Sequence, residues 1–280
     1  MPLGDVLLVH TSDLHVGADA RPDDATHTES LRYLRAVLAA AAQAHVLLIA
    51  GDLFDNNRLR LPLLEAAAAL LAEASCRIVI LPGNHDPLTP DSVYHRGPFA
   101  EVSNVHVLGL PAQFPPPLGG EAASPFPPPL RGRVREGGDR DSVIFPDWDV
   151  EVFGRAHRDY GDMAPLEDLP PRATRWRIAL AHGHYDEEAE GGSAWRPSWR
   201  IRSEHLADAQ ADYVALGHWN RAVRVGDGAA LAYYSGSPDL AGTVNLVRLA
   251  GDGSVRVTQE PLHFAESRGP GEFGVSRTST

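Results

Sequence analysis

Three short apolar runs constrain this chain more than any other feature: Val6-Leu7-Leu8-Val9-His10, Val46-Leu47-Leu48-Ile49-Ala50 and Arg77-Ile78-Val79-Ile80-Leu81. Each has the length of a strand and little polar alternation, so each reads as a strand covered on both faces. Helical patterns separate them. Leu31, Leu34, Leu38, Ala41 and Ala42 recur at helical spacing. They predict an amphipathic helix over about 28–44, opened by the capping-box spacing Thr26-x-x-Glu29. His27 and His45 at its ends read as structural. Pro62 suits the first turn of a second helix that runs to about Ala74. Strands joined in this way pair in parallel through right-handed crossovers, which brings their C-terminal ends to one edge.

Each strand ends in groups that can do chemistry. Asp13-Leu14-His15 follows the first, Gly51-Asp52-Leu53-Phe54-Asp55 the second and Pro82-Gly83-Asn84-His85-Asp86 the third. Asp13 and His15 are two residues apart, so in extended chain they point the same way and could grip one cation; a surface turn fits them as well. Gly83 permits a sharp turn. Asn84, His85 and Asp86 read either as a metal ligand, a proton donor and its orienting partner, or as a turn built of turn-formers. Parallel pairing is the physical reason that Asp13, His15, Asp52 and Asn84 converge.

Further on, a short helix follows Asp91, and a strand covers 105–108, on which His106 alternates with apolar neighbours as a half-exposed residue. Strands are expected over 142–145, 150–153 and 176–181, the last ending in His182-Gly183-His184. Ser203 can cap a short helix. The strand over 213–216 ends in Gly217-His218-Trp219-Asn220. The runs 222–225, 230–234, 243–249 and 254–258, separated by turn residues, read as an antiparallel meander. Residues 111–141 alternate proline triplets with glycine and charge and are expected to be an extended or disordered insertion, and 267–280 a loose tail. One domain over 1–266 results. The segment holding Trp195, Arg196, Trp199 and Arg200 interleaves aromatics with arginines. It can stack on bases and hold phosphates, or it is a loop packed down by its tryptophans.

Composition narrows the classes. The 280 residues carry a net charge of −12, which counts against a broad nucleic-acid footprint and leaves room for a local one. All 25 basic residues are arginine, a bias read as genomic. Cys76 is the single cysteine, which removes intrachain disulfides and cysteine zinc sites and suits a core thiol. No apolar run reaches the roughly 18 residues of a membrane span, and the first residues lack a signal-peptide layout, so a cytoplasmic setting is expected and no membrane partner.

Taken in order, Asp13-x-His15, Gly51-Asp52-x-x-Asp55, Gly83-Asn84-His85-Asp86, His182 and Gly217-His218 resemble the signature of the calcineurin-like metallophosphoesterases, over about Val6 to Leu262. The resemblance implies an α/β fold, a four-layer αββα sandwich with two mixed β-sheets. It implies two divalent metal ions, Mn²⁺ first and Fe²⁺ or Zn²⁺ as alternatives. Asp13 and His15 would hold one, Asp52 would bridge, and Asn84, His182 and His218 would hold the other. His85 would protonate the leaving oxygen and Asp86 would hold its ring. The family pattern ends in a histidine where this chain has Asn220, a weaker neutral ligand, so the first metal is expected to be held loosely or to recruit another group such as His184. His184, Trp195, Arg196 and Arg200 are candidate substrate contacts.

Within the family, His10-Thr11-Ser12-Asp13-Leu14-His15, Gly51-Asp52-Leu53-Phe54-Asp55 and Tyr234-Ser235-Gly236-Ser237-Pro238 resemble the DNA-repair exonucleases of the SbcD and YhaO type. Those carry a capping region after the core, which this sequence is expected to lack. The implied activity is a phosphodiesterase or exonuclease, acting on a phosphate ester such as a nucleic acid or nucleotide, with an SbcC-like ATPase as an implied partner. A phosphatase for small molecules or phosphoproteins and a non-catalytic binding scaffold are the alternatives.

Overall fold

The computed structural model describes residues 4–19, 29–111, 141–167, 169, 171–186 and 198–264. The capping box at Thr26, His27, the proline-rich insertion between 112 and 140, Trp195, Arg196 and the tail lie outside them.

Strands β1 (Val6–Thr11), β2 (Val46–Ala50), β3 (Arg77–Leu81) and β4 (Val105–Val107) lie side by side and parallel. Helix α1 (Glu29–Ala40) links β1 to β2, and α2 (Leu61–Ala72), with proline in its first turn, links β2 to β3. Helix α3 (Val93–Arg96) and a 3-10 turn (Pro98–Glu101) lead into β4. The second half supplies β5 (Ser142–Phe145), β6 (Val150–Phe153), β7 (Trp176–His182), β8 (His184–Tyr185), β9 (Arg200–Ile201), α4 (Ser203–Asp208), β10 (Tyr213–Gly217), β11 (Ala222–Val225), β12 (Ala232–Ser235), β13 (Thr243–Leu249) and β14 (Val255–Pro261).

Two mixed six-stranded sheets result, β14-β13-β1-β2-β3-β4 and β11-β12-β10-β7-β6-β5. Side-chain alternation in the second sheet explains why they stack. Ile178, Leu180, Tyr213 and Ala215 join one cluster with the first sheet and with Leu31, Leu34 and Val37 of α1 and Leu63, Leu64 and Leu71 of α2. Their neighbours Ala179, Ala181, Val214 and Leu216 face outward into a second cluster with Leu206 and Ala209 around α4. The layers are therefore helix, sheet, sheet and helix. Every residue of β2 is buried, as expected of a strand covered on both faces.

Polar groups also tie the sheets together. His10 of β1 hydrogen-bonds through Nδ1 to the Tyr213 hydroxyl of β10 at 2.8 Å. Asn245 of β13 donates to the Tyr234 carbonyl of β12 at 3.3 Å. Burial holds the His10 imidazole down at about 3, so it sits neutral in the interior.

Three expectations need correction. The last four strands are not one meander. β11 pairs antiparallel with β12, which runs parallel to β10, whereas the β13–β14 hairpin returns to the first sheet beside β1. Local pattern marks strands but not the sheet they join. Ser203 does not cap α4. Its hydroxyl is 2.7 Å from that of Tyr185, and Arg202 takes the N-cap position. His106 is buried, because all three residues of β4 are covered. Cys76 is a buried thiol pushed up to about 11 by burial.

Burial lowers His106 to about 4 in the fold, against about 6.5 in an unfolded chain. The unfolded state therefore takes up a proton first, and stability falls as pH drops from about 6.5 towards 4, by up to about 2 kcal/mol at pH 5. Urea titrations at pH 7.5 and 5 should show His106→Gln losing less stability between the two pH values than the parent. Equal losses would assign the acid sensitivity to other groups.

Candidate metal centre

The C-terminal ends of β1, β2 and β3 meet the ends of β7 and β10 at one edge of the sandwich. Asp13 N–H donates to the Gly51 carbonyl at 3.0 Å, and His15 N–H to the Asp52 carbonyl at 3.1 Å, so the loops after β1 and β2 are stitched together. His182, last in β7, pairs in register with Gly217, last in β10. Its Nδ1 donates to the Ala50 carbonyl at the end of β2, 2.9 Å away. One hydrogen bond thus joins the strand ends of the two sheets that carry the candidate ligands.

The backbone is bent to aim these groups. Asp13, His15, Asp52 and His218 have φ of 55°, 45°, 52° and 105°, in the left-handed region that costs a side chain of the L series about 1–3 kcal/mol. Gly51 also has positive φ, and a Cβ there would run into the His182 ring. Gly83 serves differently from the sequence expectation: its φ is ordinary, and a Cβ would collide with the Asp52 carboxylate. Close approach, not backbone freedom, requires that glycine.

Asp52 is the hub. Oδ2 lies 3.1 Å from His182 Nε2, and Oδ1 accepts the His85 N–H at 2.9 Å. His182 Nε2 is also 2.9 Å from Asn84 Oδ1. Both nitrogens of His182 therefore face acceptors, and the ring donates from both. Burial opposes this charge, but Asp52 and then Asp13 raise His182 to about 10. Burial pushes the Asp13 carboxyl up, and Asp52 adds to it. Asp13 Oδ2 accepts the His218 N–H at 2.9 Å, and the His218 and His182 rings meet edge to face at 5.4 Å. Burial lowers His218 to about 4, so that ring is neutral and has a lone pair to offer.

These residues fit a pair of cations. Ligand atoms of Asp13, Asp52 and His182 lie within 4.8 Å of one another, as do those of His15, Asp52 and His85, and Asp52 belongs to both groups. A proton on His182 sits where buried oxygens converge, a position suited to a metal ion, whose binding would release that proton. The grouping puts Asp13 with His182 and His15 with His85. Asn220 is exposed on the loop after β10 and lines a groove with His184, His218, Trp219 and Arg221.

Asp86 does not hold the His85 ring. It is fully buried, and it accepts from Gly83 N–H at 2.7 Å, Phe54 N–H at 3.0 Å and the Tyr94 hydroxyl at 2.6 Å. It fastens the loop after β2 to the loop after β3. Burial, then Asp52, raises its carboxyl to about 6. His85 points out to solvent, and its Nδ1 donates to the Asp55 carbonyl at 2.9 Å. Arg200 pairs with Asp186 at 2.9 Å and lines a different cavity of about 300 Å³ with Arg202 and His205.

Sequence reasoning missed Tyr94 and His157. His157 is buried, donates through Nε2 to the His182 carbonyl at 2.9 Å and packs edge to face on Trp199. A single histidine between Ala156 and Arg158 offers no spacing that could have revealed it.

A sequence model of the calcineurin-like phosphoesterases matches residues 6–221. The chain belongs to the calcineurin-like phosphoesterase family. It is thus a hydrolase of phosphate esters, from a metal-dependent family. It is 28% identical over 251 residues to the SbcD subunit of the nuclease SbcCD from Bacillus subtilis (strain 168), with 82% of this chain and 61% of that protein covered. The chain therefore spans about three fifths of the length of that relative. A solved crystal structure with 14% identity covers 95% of this chain and 100% of its own, at a TM-score of 0.50, a likeness of fold alone. The 5′-nucleotidase precursor from Thermus thermophilus aligns over 93% of this phosphoesterase and 54% of its own length, with 13% identity and a TM-score of 0.48. Among the described residues no helix is long and apolar enough to cross a membrane.

Tyr94→Phe removes one of the three donors to Asp86 and should lower unfolding stability by about 1–2 kcal/mol in denaturant titrations. No change would mean that the two amides alone satisfy the carboxylate.

Proposed function

We propose that this phosphoesterase is a metal-dependent phosphodiesterase of the DNA-exonuclease type, with two divalent ions, Mn²⁺ foremost. The single observation that carries the reading is Asp52, whose carboxylate lies within 4.8 Å of ligand atoms of Asp13 and His182 in one group and of His15 in another, with the ring of His85 in that second group kept for proton transfer. Asp13, His15, Asp52, Asn84, His182 and His218 would hold the ions, and Asn220 would lend a weak carboxamide. Bound ions of this kind supply charge neutralisation for phosphoryl oxygens and a water acidic enough to attack.

The protein's own groups do the rest. Because a carbonyl only accepts, His85 Nδ1 carries a proton against Asp55, and Nε2 is the nitrogen that exchanges with substrate. As imidazolium, His85 gives its Nε2 proton to the leaving oxygen. Asp86 acts at a distance by fixing the loop that carries Asn84 and His85. The likeness to a component of the SbcCD nuclease supports a diester substrate, and the net charge of −12 suits a small local contact with nucleic acid rather than a broad one.

Hydrolysis of bis(p-nitrophenyl) phosphate beside the monoester, with and without Mn²⁺, tests the reading. Mn²⁺-dependent diester cleavage is expected, reduced roughly 10²- to 10⁴-fold in His85→Ala. No turnover with any divalent ion would instead leave the sandwich as a binding scaffold. Asn220→His should tighten Mn²⁺ binding in a calorimetric titration. An unchanged affinity would show that the carboxamide is not the limiting ligand.

A further inference from the structure

The geometry points to Trp199 as the positioning residue of His218: its indole braces an imidazole that no hydrogen bond orients. The inference deepens the metal-dependent reading above and rests on it, because aiming the His218 ring serves a bound ion.

His182, at the end of β7, and His218, just past β10, are held in different ways. His182 has acceptors at both ring nitrogens, the Ala50 carbonyl on one side and Asp52 with Asn84 on the other. His218 is fastened by its backbone N–H, which donates to Asp13, and among the described residues its ring takes part in no hydrogen bond. An imidazole that binds a metal is usually oriented by a hydrogen bond from its other nitrogen. Ring contacts take that place here. The rings of His157, His182, His218 and Trp199 form a closed cycle of edge-to-face contacts. Centroids are 5.7 Å apart from His157 to His182, 5.4 Å from His182 to His218, 5.7 Å from His218 to Trp199 and 5.4 Å from Trp199 back to His157. Edge-to-face packing is a favoured geometry for such pairs. His184 also approaches the His218 ring, but at 6.3 Å. Two members of the cycle are candidate ligands, and the other two brace them.

The braces are themselves fixed. Trp199 has φ of 55°, in the left-handed region that bulky side chains seldom adopt. Its N–H donates to the Asp162 carboxylate at 2.6 Å, its indole N–H donates to the Gly161 carbonyl at 2.9 Å, and its carbonyl accepts the His184 N–H at 2.9 Å. Gly183 leaves room for it, since a Cβ there would run into the Trp199 carbonyl and side chain. The glycine between His182 and His184 is thus explained by the close approach of the tryptophan. His157 is fully buried. Its N–H donates to the Pro82 carbonyl at 3.3 Å and its carbonyl accepts the Leu88 N–H at 2.8 Å, so it grips both ends of the loop that carries Asn84 and His85. A strained residue over-determined by its surroundings marks a functional position. Bracing by rings also leaves both His218 nitrogens free of hydrogen bonds, which a ligand requires.

Side-chain ¹³C relaxation at the His218 ring of the metal-free protein reads its mobility, and calorimetric titration with Mn²⁺ reads metal binding. The His218 ring should be rigid in the parent, mobile in Trp199→Leu and rigid again in Trp199→Phe, which keeps an aromatic ring. Trp199→Leu should weaken the metal equivalent that His182 and His218 would hold by roughly ten- to a hundredfold and leave the other within about twofold, and Trp199→Phe should recover most of the loss. A merely structural role would lower stability to urea and weaken both equivalents alike. That result, a rigid His218 ring in Trp199→Leu, or an unchanged Mn²⁺ affinity would each overturn the proposal. Should Trp199→Leu fail to fold, Asp162→Ala, which removes an exposed acceptor of the Trp199 amide, is read in the same way. If the parent binds no divalent ion, the metal-dependent reading falls. Ring mobility in the metal-free protein then decides the bracing: a mobile His218 ring in Trp199→Leu supports it and a rigid one overturns it.

Discussion

The structure turns on a buried contact between Asp52 and His182, 3.1 Å apart and almost without solvent. Asp52 lies in the loop just after β2 of one sheet and His182 ends a central strand of the other. Isolated charges at such depth would be expelled or neutralised. Each is retained because its remaining valences are met: the Ala50 carbonyl takes the other His182 proton, Asn84 approaches the shared one, and the His85 amide serves the second oxygen of Asp52. The ring and carboxylate that would bind a cation thus also bond the two sheets together where the site forms.

The site is expensive in backbone terms. Four of its side chains leave residues with positive φ, and Gly51 and Gly83 are required because a methyl group would occupy the space of His182 or Asp52. Asp86 steadies this arrangement from below, joining the loops after β2 and β3 through two amides and a phenol. Hydrogen bonding to a buried carboxylate is strong enough to hold such loops in place.

Much of this is legible in the sequence. β2 and Asp52 are, because an unbroken apolar run followed by glycine and a carboxylate has few other meanings, and parallel crossovers make strand ends converge. His182 and His218 are, because each closes a strand of the same kind. Other features cannot be read, for physical reasons. His85 and Asp86 adjoin in sequence, yet at a turn one faces water and the other the core, so the expected contact between them is absent. His106 alternates with valines, but alternation says nothing about whether both faces of a strand are covered. The strands after Gly217 look alike one by one, and only long-range pairing sends β12 to one sheet and β13 to the other. His157 carries no local signal, since its role exists only once the end of β7 is beside it.

The polar contacts of His10 and Asn245 with Tyr213 and Tyr234 have a mechanical side. A strand repeats about every 3.3 Å, so one sheet sliding over the other by a single residue would carry His182 clear of Asp52. These interior bonds lie at the interface that would have to slide, with His10 to Tyr213 at 2.8 Å. They act as a dowel between two plates and set the alignment of the side chains that converge from both. Wear at the dowel would be felt as a misalignment of Asp52 and His182 well before the sandwich came apart.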